Sequence, residues 1–216
     1  EMKSSTAIKI EVCLFDGYKD FDELLEVLFI CDQNCVDVIS VPISFLSYKQ
    51  RFTKNATPAC LVDFPLGMGS LRTRLAYCIE AVSLGAEILD IPVNPFHVQN
   101  MQKTNIKKDV SSIAAFCKER GVKPRYILNH KEYSMKEYVH LSSWLYSCGV
   151  KTLITHDGVT VDDPIDNLIA AGQVLKNIPL EVIPGSRMFE TEHLDILTGT
   201  EIESIRVCSD KINRFF

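Results

Sequence analysis

Short apolar runs rich in β-branched residues alternate with longer amphipathic stretches along the whole chain. Runs of the first kind fall at residues 8–15, 36–41, 59–64, 87–93, 125–128, 152–155, 180–183 and 205–208, and each reads as a strand. Helical periodicity covers 20–31, 43–49, 71–84, 106–120, 135–148, 164–175 and 191–197. The punctuation agrees with this division. Asp20 stands at an N-cap position, and Gly85, Gly121 and Gly149 follow three of the helices, where a left-handed residue ends a helix well. Pro42 and the step Pro65-Leu66-Gly67 stop two of the strands.

Eight strand-like runs with helices between them, at roughly 25 residues per unit, predict an α/β fold of the TIM (β/α)8 barrel type, near the lower end of barrel sizes. Continuously apolar strands suit a parallel sheet covered on both faces. A doubly wound open sheet is the structural alternative, but no GxGxxG follows the first strand to support it. Without a linker, low-complexity stretch or internal repeat, a single domain is expected over 8–210, with a flexible N-terminus at 1–7 and a C-terminal tail at 211–216.

Composition narrows the class. The 216 residues are 46% hydrophobic and 24% charged, enough to bury one core. The net charge is −5 with both signs interspersed, so no basic block points to nucleic acid or an anionic membrane. No apolar run approaches the ~20 residues of a membrane helix, and residues 1–7 lack the apolar centre of a signal peptide. Eight cysteines are scattered singly with no CxxC pair, which predicts free thiols in a reducing cytoplasm rather than a disulfide framework or zinc site.

Three segments carry a resemblance. Cys60-Leu61-Val62-Asp63-Phe64-Pro65-Leu66-Gly67 ends in F-P-L-G. Ala81-Val82-Ser83-Leu84-Gly85-Ala86-Glu87-Ile88-Leu89-Asp90 follows A-x-x-x-G-A-x-E-(I/V)-D. Pro124-Arg125-Tyr126-Ile127-Leu128-Asn129 is similar to L-K-V-I-L-E. In this order and spacing, over most of 8–210, the chain resembles the deoxyribose-phosphate aldolase family. That resemblance implies a barrel without a cofactor that cleaves 2-deoxyribose 5-phosphate to glyceraldehyde 3-phosphate and acetaldehyde. A lysine amine forms a Schiff base with the carbonyl, and a second lysine beside it lowers its pKa. An aspartate moves protons, and glycine-rich loops hold the phosphate through backbone N–H groups.

Carried over residue by residue, the resemblance gives a mixed result. Asp90 matches the proton-relay aspartate, and Glu11 takes the place of an aspartate on the first strand. The family's K-T-S-T-G strand end corresponds to Ile154-Thr155-His156-Asp157-Gly158, so Ile154 stands at the nucleophile's position, or Thr155 if the register slips by one. The second lysine corresponds to Glu181, ahead of Val182-Ile183-Pro184-Gly185-Ser186-Arg187. Of the phosphate loops, Gly158, Gly185, Ser186 and Ser209 remain. Pro184 has no N–H to donate, and the Asp210 carboxylate repels a phosphate. The expectation is a divergent homologue that has lost Schiff-base catalysis and serves as a binding or regulatory barrel, or works by changed chemistry. Its mouth would be built from Glu11, Asp63, Asn129, His130, Thr155, His156, Asp157 and Glu181.

Two other readings use the same residues. Lys151 is a candidate displaced Schiff-base lysine, although it precedes Ile154 by three residues and would point the other way, about 10 Å off along the strand. A metal-dependent lyase or hydrolase would need His130, His156, Asp90 and Glu181 to converge; their spacing is loose and no metal is expected. In plainer terms, Asp90 caps a neighbouring helix or pairs with Arg125, Lys123 and Lys131 are solvated near the mouth, and Tyr133, Tyr138 and His140 lie on the surface. Trp144 and Leu145 form core or an oligomer contact. The partners implied are a small sugar or sugar phosphate and, as is common in the family, a second copy in a homodimer.

Overall fold

A computed structural model describes residues 8–15, 20–48 and 54–216. The expected flexible N-terminus at 1–7 lies outside the described residues, as does the end of the helix expected at 43–49. The chain alternates β1 (Lys9–Cys13), α1 (Phe21–Gln33), β2 (Val38–Pro42), β3 (Thr57–Leu61), α2 (Leu71–Ser83) and β4 (Ile88–Pro92). A short α3 (Pro95–Gln99) and the long α4 (Lys103–Arg120) follow, then β5 (Lys123–Ile127), α5 (Met135–Cys148), β6 (Thr152–Ile154) and α6 (Pro164–Asn177). It ends with β7 (Glu181–Ile183), β8 (Gly185–Ser186), α7 (Glu192–Leu197) and β9 (Ser204–Cys208). Every strand pair is parallel, in the order β7-β6-β5-β4-β3-β2-β1-β9-β8.

This is the TIM barrel the sequence predicts, with one departure. The seventh stave is broken at Pro184: β7 pairs with β6, and β8 pairs with β9. A proline cannot donate to a ladder, so the stave changes partner there, and the Pro184 carbonyl accepts instead from Arg206 N at 2.8 Å.

Local chemistry sets the helix limits. Asp20, Ser70 and Asn94 cap their helices by accepting from the third residue along. Ser134 and Glu137 form a reciprocal capping box that starts α5. Gly121 and Gly149 end α4 and α5 at φ 68° and 112°, conformations costly for any residue with a Cβ. At the start of the C-terminal tail Ser209–Arg214 forms a 3-10 turn with Ile212 buried. No helix among the described residues is long and apolar enough to cross a membrane.

Alternation along each strand separates two interiors. Outward residues such as Val12, Ile39, Cys60, Leu89, Tyr126, Leu153 and Val207 join the main core between barrel and helices, which also takes Trp144 and Leu145. Inside the barrel lie two smaller apolar clusters: Val38, Ala59 and Ile88 toward the N-terminal end, and Ile127, Ile154 and Ile183 with Phe64 toward the mouth. Burial pushes the Cys13, Cys31, Cys60 and Cys78 thiols up to about 12.

Candidate functional site

Between the two apolar layers lies a charged one. Ser40 and Asp90 stand two residues beyond Val38 and Ile88, and Arg125 stands two residues before Ile127, so all three share the inward face. Glu11 and Arg206 occupy paired positions on β1 and β9. Arg125 donates Nε and Nη2 to the two oxygens of Asp90 at 2.7 and 3.0 Å, and Nη1 to both oxygens of Glu11 at 2.9 and 2.8 Å. Arg206 Nη2 reaches Asp90 Oδ2 and, at 3.0 Å, Ser40 Oγ, which itself donates to Asp90 Oδ2 at 2.6 Å. Two carboxylates and two guanidiniums therefore balance in a fully buried cluster.

This cluster decides the state of Asp90. Burial alone would raise its pKa, but Arg125 and Arg206, with hydrogen bonds from Arg125 and Ser40, hold it well below the usual carboxylate range. An aspartate so held is a poor proton acceptor near neutral pH. The pairing with Arg125 was one of two plain readings of Asp90, helix capping being the other; Ser40 and Arg206 were not singled out. Arg206 carried a signal nonetheless, as a charge in the otherwise apolar alternation Ser204-Ile205-Arg206-Val207-Cys208.

The layer above holds Ile154, the position that the motif resemblance aligns with a Schiff-base lysine. Ile154 is completely buried there against Ile127, Ile183 and Phe64. The register sets Ile154 opposite Ile183 and places Glu181 at the other end of β7, opposite Thr152. Glu181 thus does not belong to the mouth, and the side chain next to the nucleophile's position is Ile183. At the barrel's N-terminal end Glu181 accepts from Lys123 Nζ at 2.6 Å and Thr152 Oγ1 at 2.7 Å. Against the effect of its partial burial, those two donors lower its pKa. Lys123, expected near the mouth, is therefore at the opposite end. Lys151 is there too, with Nζ 4.8 Å from the Tyr146 ring centroid, directed onto α5 rather than into the barrel.

At the mouth, Asn129 and Asp157 bind each other reciprocally: Asn129 Nδ2 donates to Asp157 Oδ2, and Asp157 N donates to Asn129 Oδ1, both at 2.8 Å. Thr155 Oγ1 donates to Asn167 Oδ1 at 2.5 Å and accepts from Gly185 N at 3.1 Å. His156 Nδ1 accepts from Gly158 N at 2.9 Å, so its proton sits on Nε2, 3.1 Å from Thr160 Oγ1. Asp162, overlooked in the sequence, anchors this network by accepting from Ser186 Oγ at 2.6 Å and Asn167 Nδ2 at 2.7 Å. Asp63 turns away at φ 53°, accepting from Gly69 N at 2.8 Å to brace the loop before α2. The His130 and His156 rings lie tilted to each other with centroids 5.8 Å apart, but Asp90 lies in the layer below and Glu181 at the far end, so the four donors of the metal reading do not converge.

The remnant phosphate loops are filled by the protein itself. A Cβ at Gly158 would come within 2.9 Å of Cys208 Sγ and 3.3 Å of the Phe15 ring, and one at Gly185 within 2.9 Å of the His156 carbonyl. Arg187 is paired with Asp210 at 3.1 Å. Ser209 Oγ is buried without a partner among the described residues. The cavity left at the mouth, between Pro65, Pro92, Asn129 and Asp157, is ≈ 70 Å³, far below the ~300 Å³ at which ligand pockets begin.

A deoxyribose-phosphate aldolase of Clostridioides difficile (strain 630) is 23% identical over 188 residues, covering 82% of each chain. At that identity the chain is similar to the deoxyribose-phosphate aldolases and divergent from them. The solved structures agree on the fold. An aldolase designated QR15 superposes with TM-score 0.81 at 15% identity, covering 98% of this chain and 94% of its own. The tetrameric deoxyribose phosphate aldolase of Aeropyrum pernix gives 0.80 at 15%, covering 97% and 88%. No protein-family model matches the chain.

Proposed function

We propose that this aldolase-like barrel no longer forms a Schiff base and serves as a binding or regulatory protein. The observation that carries this reading is Ile154, buried in an isoleucine cluster where the nucleophilic lysine would stand. Three further features support it. Asp90 is ion-paired on both sides, Pro184 and the Arg187–Asp210 pair occupy the phosphate loops, and Lys151 lies over Tyr146 at the other end of its strand.

Borohydride treatment in the presence of 2-deoxyribose 5-phosphate, read by intact mass beside an active aldolase, tests the reading. No adduct is expected on this chain. A stoichiometric mass increase would overturn it, and peptide mapping would then name the lysine.

A further inference from the structure

On the outside of the barrel, α6, α7 and the turn after α7 enclose an apolar groove of ≈ 470 Å³. Leu168, Leu197 and Ile202 are its buried floor. Ile165, Ile169 and Ile196 also line it and remain 42%, 48% and 53% exposed. Along α6, Ile165, Ile169, Gly172 and Lys176 follow at steps of four, three and four, so they share one face. Gly172 has no local reason to lack a side chain. It lies inside a helix rather than at a turn, where glycine is less favourable than alanine. A Cβ added there would meet nothing within 4 Å. The missing side chain deepens the groove at the middle of the apolar stripe.

We propose that this groove docks a basic amphipathic helix of a partner protein. Helix-in-groove recognition seats apolar guest residues spaced at i, i+3 or i+4 and i+7 along an apolar host surface. The charge around the groove selects the sign of the guest. Residues 190–203 carry five carboxylates and no lysine or arginine. Glu192 stands one turn before Ile196 and Asp195 beside it, Glu201 lines the groove itself, and all three are exposed. On α6, exposed Asp166 adjoins Ile165, and the basic residue of the wall is Lys176 at the other end. Lysines beside the guest's apolar stripe would meet these carboxylates. A second copy of this chain fits less well, because two such faces would set one acidic rim against the other. The same sign turns away nucleic acid and anionic membrane. The groove is separate from the barrel mouth, and the proposal stands whether or not Schiff-base chemistry is lost.

The probe is a fluorescein-labelled peptide of leucine and lysine, about 18 residues long so that it can form a helix, with its leucines on one face. The whole chain is titrated into it and binding is followed by anisotropy. Saturable binding is expected, with a dissociation constant on the order of micromolar. A matched peptide with glutamate in place of lysine should bind about tenfold more weakly or worse. Gly172→Leu fills the groove and should weaken the lysine peptide about tenfold while the urea midpoint holds or rises. Ile169→Gln, at an exposed position, should give the same loss of affinity and keeps the test open if Gly172→Leu does not fold. Phe29→Gln on α1, at a side chain 63% exposed, is the control and should bind as the parent does. No saturable binding, equal affinity for the glutamate peptide, full affinity in both groove variants, or an equal loss in Phe29→Gln would overturn the proposal. Self-association of the parent that Gly172→Leu abolishes, read by sedimentation, would place a second copy in the groove and overturn it as well.

Discussion

Asp90 and Arg125 face each other at paired positions of β4 and β5 and meet through two parallel hydrogen bonds of 2.7 and 3.0 Å. Bidentate pairing of this kind fixes both side chains in one orientation. It is sealed from water on both sides by the apolar layers, so neither charge has a substitute partner in solvent. Replacing a buried pair with apolar groups can be neutral, but removing one member leaves a charge stranded. Arg125→Met should therefore cost about 3–5 kcal/mol, read as a shift of the urea midpoint. A loss below about 1 kcal/mol would show that Asp90 and Glu11 find other partners.

Arg206 is held less completely. Its Nη2 serves Asp90 and Ser40, while Nε and Nη1 have no partner among the described residues. Those two buried donors reduce what the side chain contributes. Arg206→Met should be destabilising, since it shifts the cluster's charge balance, but by less than Arg125→Met in the same urea titration. An equal or larger loss would mean that the two free N–H groups are satisfied in solution.

His156 gives the fold a pH dependence whose sign is fixed. Burial lowers its pKa, against the opposing pull of Asp162 and Asp157. As pH falls, the unfolded chain takes up the proton first, near the ordinary value of about 6.5. The contribution of neutral His156 is thus fully present above that pH and is lost as pH falls through the lower folded value. Asp90, also depressed, adds a further loss only below about pH 4. Urea midpoints should decline between about pH 7 and 5, and His156→Gln should flatten that interval while leaving the acid limb in place. An unchanged slope in the variant would assign the decline to another group.

The sequence carried the staves and helices well, because 3.6-residue periodicity, caps and glycine stops agree along most of the chain. Helix Met135–Cys148 was legible to the residue from its periodicity and the Gly149 stop. Helix Pro95–Gln99 was hidden, since five residues between an asparagine cap and Asn100 give too short a pattern to see. The height of a side chain along the barrel was harder still. Alignment by motif put Glu181 beside Ile154, whereas strand register puts Ile183 there, because the broken stave shifts the relation between the Pro184-Gly185 loop and the strand before it. Tyr138 read as surface because its neighbours Lys136, Glu137 and His140 are polar, and its burial follows from the packing of α5 against the His130 turn.

Ile154→Lys separates the missing nucleophile from its missing surroundings. The new amine would lie among Ile127, Ile183 and Phe64, where desolvation lowers its pKa and favours the neutral, nucleophilic form. No second lysine is needed for that effect, so an imine to a small aldehyde is chemically accessible. Turnover requires more: a group free to move protons and a place for the phosphate. Asp90 stays tied to Arg125 and Arg206, and Asp210 stays on Arg187. The variant should lose stability from burying an amine, give a borohydride-trapped adduct with acetaldehyde, and still fail to cleave 2-deoxyribose 5-phosphate in a coupled assay. Cleavage well above background would show that Asp90 can leave its ion pairs and that the lysine alone was lacking. Absence of even the acetaldehyde adduct would place the obstacle at the isoleucine layer, whose packing then excludes the carbonyl itself.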